Sequence, residues 1–194
     1  MPYTKALTGA LGLAEQAAFL DAGFSVHERL HLLTRTLHDL PRPRPLDPPL
    51  RRGRRADRDD LLAVDGAAFP PFWRLDGPGL DDAMSATPAS RLRVAPSPAG
   101  EGGVRGYAIT GRAGSRGYLQ RLAVDPDRQR RGIGTALVVD GLRWLRRWGV
   151  GEVLVNTQQD NDAALALYES LGFRLQRDGL AVLRRELDPG AGSP

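Results

Sequence analysis

The chain has 194 residues, of which 41% are apolar, and a formal net charge of +4. This length suits one well-cored domain with an appendage. The absence of cysteine excludes disulfides, thiolate metal sites and cysteine nucleophiles. All three histidines, His27, His31 and His38, lie in the first 40 residues, so we expect no metal cofactor. Without an apolar run of membrane length or a signal-peptide layout, we expect a cytoplasmic protein and no membrane partner.

The basic residues are almost all arginine, a bias that invites a nucleic-acid interpretation. They are interleaved with 23 acidic residues, and no long basic arm exists. We therefore expect no nucleic-acid partner. The densest cluster, Arg51-Arg52-Gly53-Arg54-Arg55, falls where the first strand of the larger domain is predicted.

The first 40 residues predict a small segment made of a strand, a helix and a hairpin, at residues 3–8, 12–22 and 24–37. Gly23 fits the stop of the helix, and the hairpin turn is expected at 27–29. Prolines crowd residues 41–49 and forbid regular structure, so we place a linker there.

Residues 50–188 predict the larger domain, and residues 189–194 a disordered tail. Strand patterns occupy 50–54, 91–95, 105–110, 117–124 and 152–157, and a closing hairpin is expected over 173–187. Helix patterns occupy 55–68, 79–86, 132–148 and 161–171, with Asp57 a candidate cap of the first.

One stretch, Tyr118 to Leu137, organises the chain. Its first part is a predicted apolar strand that ends at Asp125-Pro126. An Arg/Gly turn follows, and a long predicted helix begins after the turn. Glycines allow close backbone approach, and a helix start offers unpaired N–H groups. Arg128, Arg130 and Arg131 add positive charge, so the turn is a candidate phosphate socket. It is neither a Walker loop nor a GxGxxG fingerprint, and a plain basic turn is the alternative.

The two ends of the chain resemble each other. Ala22-Gly23-Phe24 matches Leu171-Gly172-Phe173, and Leu30–Leu37 matches Leu180–Leu187 after a one-residue gap. Either two amphipathic units coincide by chance, or residues 3–37 are a truncated copy of the second half of the larger domain.

Residues 50–187 resemble the GNAT superfamily of N-acetyltransferases. Four elements stand in the family's order: strand Leu119–Val124, the Gln129-Arg-Arg-Gly-Ile-Gly134 motif, the helix start at Asp160-Asn161, and Tyr168 before Leu171-Gly172-Phe173. Each match is weak alone, but the ordered set is specific. The similarity between the two ends of the chain makes residues 1–40 resemble a partial GNAT segment, as in tandem members of the family.

The resemblance implies an α/β (α+β) GNAT fold: a mixed, mostly antiparallel, twisted sheet flanked by helices, with the helix-plus-hairpin extension at the N-terminus. It implies acetyl transfer from acetyl-CoA to a primary amine of a peptide, protein or small molecule. The alternative is a non-catalytic acetyl-CoA-binding regulatory module. The implied cofactor-binding residues are Leu122, Ala123, Val124, Gln129, Arg130, Arg131, Gly132, Ile133, Gly134, Thr135, Asn161 and Tyr168. A homodimer is possible if the N-terminal segment extends the sheet by exchange between two chains.

For catalysis, the resemblance assigns Tyr168 as proton donor to the leaving thiolate. A buried core tyrosine is the alternative, and Asn161 is either a cofactor contact or a helix cap. Unlike many family members, strand 117–124 carries no carboxylate. A water relay through Gln120 or Asn156-Thr157 is expected to replace the general base, with Glu152 and Asp76 as weaker candidates.

The acceptor is expected to be selected by loop 69–80 and by the closing hairpin around 174–181. Phe69, Phe72 and Trp73 either line an acceptor pocket or plug the core beneath it. Arg74 and Arg121 are candidates for attracting an acidic acceptor.

Overall fold

A computed structural model describes residues 5–42 and 45–187. Over that part of the chain the strands are β1 Lys5–Leu11, β2 Ser25–Thr36, β3 Arg51–Arg52, β4 Ala89–Pro96, β5 Val104–Ala113, β6 Arg116–Val124, β7 Glu152–Gln158, β8 Arg174–Leu175 and β9 Leu180–Glu186. The α-helices are α1 Leu13–Asp21, α2 Arg58–Ala68, α3 Gly77–Ser85, α4 Ile133–Arg147 and α5 Asp162–Ser170. No helix among these residues is long and apolar enough to cross a membrane.

The chain divides into two compact units. The terminal unit joins the described residues up to Thr34 with those from Asn156 onward, and the central unit runs from Arg35 to Val155. The predicted linker therefore lies near the start of the central unit. Residues 43–44 of that linker, residues 3–4 of the first predicted strand and residues 188–194 lie outside the described residues.

The central unit is built on a mostly antiparallel sheet, as predicted. Its strand order is β7-β6-β5-β4-β3, and β6–β7 is the parallel pair. β6 and β7 are joined by α4, which is the crossover that a parallel pair requires.

β5 lies at the centre of this sheet and is covered on both faces. Tyr107 and Ile109 belong to one apolar cluster with residues of α2 and α3, among them Leu61 and Leu80. On α4, Gly141 approaches β5 so closely that a Cβ would lie 2.6 Å from Oγ1 of Thr110. This covering on both faces accounts for the six consecutive buried residues of β5, 106–111.

Two predicted elements at the start of this unit differ from the structure in extent. The first strand is only two residues long instead of spanning 50–54, and α2 begins at Arg58 after a 3₁₀ turn at Arg55–Asp57. Asp57 stands at the N-cap position of α2, as predicted, but its side chain makes no capping hydrogen bond to that helix. Its carboxylate accepts the backbone N–H of Arg54 at 2.6 Å and two hydrogen bonds from Arg51, so it closes the turn ahead of the helix.

The terminal unit holds a second antiparallel group, with β9 between β1 and β2. Both predicted hairpins are wrong. Residues 25–36 form one strand, and the expected turn at 27–29 is only a register shift against β9. No glycine or proline interrupts those residues, so the alternating pattern continues as one strand. β8 and β9 both pair with β2 rather than with each other.

The sequence similarity between the two ends of the chain is accompanied by a repeated local geometry. α1 and α5 have nine residues each, and each ends at a glycine with positive φ, Gly23 and Gly172. After each glycine a phenylalanine N–H donates back to an aromatic residue of the helix, at 3.0 Å. Leu30 and Leu180, which the sequence match equates, pair directly in the sheet. Leu180 is the first residue of β9, so this pair is the last of the β2–β9 ladder. The copy interpretation stays a prediction.

Candidate active site

The turn after β6 contains two residues with a left-handed backbone conformation. Arg130 and Gly132 both have positive φ, 58° and 79°. Positive φ at a non-glycine residue costs about 1–2 kcal/mol, so the backbone at Arg130 is strained, and strain of this kind clusters at ligand-binding sites. Alternation of left-handed and other conformations aims successive N–H groups to one side, which is the geometry of an anion-binding nest.

The same turn leads directly into the first turn of α4. The carbonyl of Gly132 accepts the N–H of Ala136 at 2.9 Å, so the preceding N–H groups of Ile133, Gly134 and Thr135 have no helical acceptor. They point out of the positive end of the helix dipole. α4 spans 15 residues, long enough for this dipole to favour a bound phosphate.

The charges around the turn divide into paired and unpaired ones. Arg128 is held by Glu101 at 2.9 Å, so it contributes less free charge than the sequence suggested. Arg130 and Arg131 are exposed and have no ion-pair partner in the part of the chain that the structure describes. Gln129 is exposed, and its amide lies 3.5 Å from the carbonyl of Val124. Two free guanidinium groups therefore flank the N–H groups.

β6 presents one unpaired main-chain edge beside the turn. Leu122, Ala123 and Val124 pair with β5 on one side. On the other side, the ladder with β7 joins Arg116–Tyr118 to Glu152–Leu154 and goes no further within the central unit. The rest of β6 thus offers main-chain groups to an amide-bearing ligand laid along it as an extra strand.

A bulge displaces Gln120 from the regular β6 ladder. The pairing with β5 skips one residue between Leu119 and Arg121, so Gln120 is the extra residue. Its amide nitrogen lies 3.4 Å from Oγ1 of Thr87, and its amide oxygen is buried without a hydrogen-bond partner. The absence of a side chain at Gly111 makes space for this amide oxygen, because a Cβ at that position would lie 2.4 Å from it. This arrangement leaves an acceptor suited to a water molecule or an N–H group.

A buried carboxylate that the sequence did not reveal lies beneath the same strand. Asp65 of α2 is fully buried and accepts four hydrogen bonds: two from Arg121, one from the hydroxyl of Tyr107 and one from the backbone of Leu75. The sequence signal was only an acid on the apolar face of a predicted helix. With its acceptor positions filled by these donors, Asp65 has no place for a substrate amine.

Tyr107 and Arg121 both donate hydrogen bonds to Asp65. Burial, and then the hydrogen bond to Asp65, raise the pKa of Tyr107, so its hydroxyl stays protonated. Arg121 also donates to the carbonyl of Trp73 at 2.6 Å and stacks 3.5 Å from the ring of Phe69. Its guanidinium therefore fixes the loop after α2 and is not free to attract an acidic acceptor, contrary to expectation.

The side chains of the aromatic loop differ in burial. Phe69 packs against the core cluster, so it plugs the core. Phe72 is 44% exposed and meets Trp73 edge-on at 5.1 Å. Arg74 donates to the carbonyl of Phe69 at 3.0 Å. The acceptor-pocket role considered for Phe72 and Trp73 stays a prediction.

The two carboxylates considered as weaker candidates for the general base, Asp76 and Glu152, are respectively bound to a helix end and far from the turn. Asp76 caps α3 by accepting the N–H of Gly79 at 2.8 Å. Glu152 pairs with Arg116 at the start of β6, and about eight residues of extended strand, roughly 26 Å, separate it from the turn. No group of three or more potential metal-ligating side chains was found within residues 5–42 and 45–187.

Tyr168 and Asn161 lie in the terminal unit, on α5. The side-chain amide oxygen Oδ1 of Asn161 accepts the N–H of Ala164 at 3.0 Å, so Asn161 is the helix cap. Its amide N–H groups are not used by that cap. Tyr168 is 5% exposed, and its ring packs 5.6 Å from that of Phe173.

Comparison with known proteins points to one family. The model of the acetyltransferase (GNAT) family matches residues 92–173, which contain β5, β6, the turn and α5. The chain is 32% identical to a mycothiol acetyltransferase of Clavibacter michiganensis over 179 residues, 89% of this chain and 56% of that protein. It is 42% identical to the [ribosomal protein bS18]-alanine N-acetyltransferase of Escherichia coli over 88 residues, 45% of this chain and 56% of that protein.

Solved structures give the same fold. A putative acetyltransferase of the GNAT family from Novosphingobium aromaticivorans superposes with a TM-score of 0.65 at 19% identity, covering 86% of this chain and 69% of that one. The chain spans only about half the length of the curated relatives named above.

Proposed function

Because the chain belongs to the GNAT family of acetyltransferases, we propose that it transfers an acetyl group from acetyl-CoA to a primary amine. The nest at Arg130 and Gly132, opening onto the start of α4, is the observation that carries this proposal. It provides directed N–H groups, a helix dipole and two free arginines for a pyrophosphate.

The ligand's amide-bearing arm is assigned to the open edge of β6. Main-chain groups of Leu122, Ala123 and Val124 border that edge, and a pantetheine arm carries amide groups that pair as a strand does. The pyrophosphate is assigned to the turn, in which Gln129, Arg130, Arg131, Gly132, Ile133, Gly134 and Thr135 participate. Asn161 is assigned a supporting contact through the amide N–H groups that its capping role leaves unused.

Bound acetyl-CoA supplies the thioester, and the protein supplies position and proton transfer. Holding both substrates in line removes much of the entropic barrier. We assign Tyr168 as the proton donor for the leaving thiolate, on the family resemblance. Gln120 is assigned to hold the water molecule that takes the amine proton, supported by its buried, unpartnered oxygen in the bulge of β6.

The acceptor class proposed is a peptide or protein α-amine, a lysine or a small amine. One relative carries the name of a mycothiol enzyme and another that of a ribosomal-protein enzyme. The test therefore includes both small amines and protein or peptide amines as acceptors. Within the chain, β1 and β2 already pair with β9, so strand exchange in a dimer is not needed to complete that group. A cytoplasmic location stays a prediction.

A turnover screen tests the proposal. The full chain is incubated with acetyl-CoA and a panel of small amines, lysine peptides and N-terminal peptides, and free thiol is measured. We expect acetyl transfer to one class above the rate of hydrolysis. Acetyl-CoA binding without turnover on any acceptor would instead support the regulatory module.

A further inference from the structure

The arginine cluster at residues 51–55 is not used by the acetyl-CoA turn. It lies at β3, the outer strand of the central sheet. β3 pairs only Arg51 and Arg52 with β4, and one further hydrogen bond joins the N–H of Gly53 to the carbonyl of Leu92 at 3.1 Å. Beyond that bond no strand of the central unit covers the outer edge of β4 at residues 89–91.

The main-chain groups on that edge are open for pairing. Because the carbonyl of Leu92 accepts from Gly53, the main chain of Leu92 faces outward. Main-chain direction alternates along a strand, so Ser90 also directs its N–H and carbonyl away from β5. An uncovered edge of this kind is a template for another strand.

A cavity of about 580 Å³ surrounds this edge, and arginine dominates its polar lining. The arginines that line it are Arg52, Arg54, Arg55, Arg58, Arg91 and Arg93, against one lining carboxylate, Asp81. The cavity is therefore strongly positive.

The local acids neutralise only part of that charge. Arg58 pairs with Asp81 at 2.7 Å. Arg91 and Arg93 share one carboxylate, Asp140, at 3.1 Å each. Arg52, Arg54 and Arg55 have no ion pair to any acid in the described part of the chain. Burial lowers the pKa of Arg91, and the nearby guanidinium groups of Arg93 and Arg147 act in the same direction.

The two faces beside the edge differ in chemistry. Leu92 packs with the core cluster of α2 and α3, and Leu61, Leu80 and Met84 line the cavity there. Arg91 and Arg93 point to the other face of β4, where they meet Asp140 of α4. A strand added here would direct alternate side chains to an apolar face and to a basic face.

We propose that the open edge of β4, with the arginines around it, binds an acidic segment of another protein as an added β-strand. Main-chain hydrogen bonds would come from Ser90, because the carbonyl of Leu92 already accepts from Gly53. The alternation of the two faces selects a sequence in which apolar and acidic residues alternate. Charge complementarity favours an acidic partner over a neutral one and speeds its association. This site is separate from the acetyl-CoA turn and does not depend on the proposed activity.

The probe is a fluorescent synthetic peptide of alternating Glu and Val, measured by anisotropy with the full chain at low salt. The Arg54→Ser/Arg55→Ser double variant is expected to bind about fivefold more weakly, since exposed ion pairs contribute modestly. An Arg116→Ser/Arg177→Ser variant makes the same charge change at two other exposed arginines and is expected to keep the wild-type affinity. Equal losses in both variants would overturn the assignment to this edge.

Main-chain pairing is tested separately. A Glu-Val peptide methylated at every backbone nitrogen keeps its side chains but loses its donors, and we expect its binding to fail. Ser90→Pro removes the outward N–H and is expected to weaken binding about fivefold, whereas Ser90→Ala keeps that N–H and the affinity. Undiminished binding of the methylated peptide, or tighter binding of single-stranded DNA with the same dependence on Arg54 and Arg55, would overturn the proposal.

Discussion

The guanidinium of Arg121 and the carboxylate of Asp65 form a two-point ion pair, with contacts of 2.6 and 2.7 Å, inside the central unit. Asp65 is 0% exposed, and the side chain of Arg121 is 11% exposed. The pair joins β6 to α2, and through Leu75 and Trp73 it holds the loop that follows α2. Arg121 thus stabilises the strand bearing the proposed cofactor edge together with the proposed acceptor loop.

Breaking this ion pair is expected to be costly. Asp65→Asn leaves a nearly buried guanidinium without its counter-charge, so we expect a loss of about 3–5 kcal/mol in the free energy of unfolding. Asp81→Asn is the matched control, because its pair with Arg58 is exposed and solvent screening leaves such a pair little effect on stability. Urea unfolding measures both variants, and similar losses would contradict the structural role given to Asp65.

Tyr107 is expected to give stability a distinct alkaline limit. Its pKa is raised in the folded state, so its contribution is complete below the ordinary tyrosine pKa of about 10 and is lost as pH rises further. Tyr107→Phe is expected to cost about 1.5–3 kcal/mol at neutral pH, the range for a hydrogen bond to a charged group. The difference from wild type in urea unfolding should shrink above about pH 10. A difference that stays constant over that range would rule out this role.

Gly132 and Gly114 separate backbone strain from ligand binding. Both have positive φ, 79° and 56°, and at both a Cβ would meet no atom within 4 Å. Replacing either with alanine is expected to cost about 1–2 kcal/mol of stability. Only Gly132→Ala is expected to weaken acetyl-CoA binding as well, because it distorts the nest. Equal affinity of the two variants in calorimetry would place the pyrophosphate elsewhere.

Tyr168→Phe is expected to leave acetyl-CoA affinity unchanged and to lower kcat about 100-fold or more, the usual contribution of a positioned acid. Phe173→Leu perturbs the ring packed against Tyr168 without removing a hydroxyl, so it controls for packing. Steady-state kinetics at saturating acetyl-CoA compare the two. An unchanged kcat for Tyr168→Phe would remove the proton-donor role.

Periodicity and turn chemistry predicted most of the elements around the proposed site. The glycine turn, the crossover helix and the strands on either side of it were predicted because local patterns determine them. Asn161 was predicted as either a helix cap or a cofactor contact. The structure shows it as the cap of α5, and the cofactor contact stays a prediction.

Long-range pairing accounts for what the sequence did not predict. Residues 25–36 and 174–186 looked like hairpins because each contains two apolar stretches, yet β2 receives both β8 and β9 as partners. Asp65 and Arg121 are 56 residues apart in sequence, and nothing local in either segment signals their contact. The sequence therefore located the turn more reliably than the groups that support it.

Calorimetric titration of the full chain with acetyl-CoA at low salt is the decisive test of the proposed nest, with Gly134→Trp as the comparison. We expect saturable binding to the wild-type chain and no binding to Gly134→Trp, because the indole fills the space in front of the N–H groups of the nest. Absence of binding to the wild-type chain, or retained affinity in Gly134→Trp with an unchanged fold by circular dichroism, would contradict the proposed acetyl-CoA site.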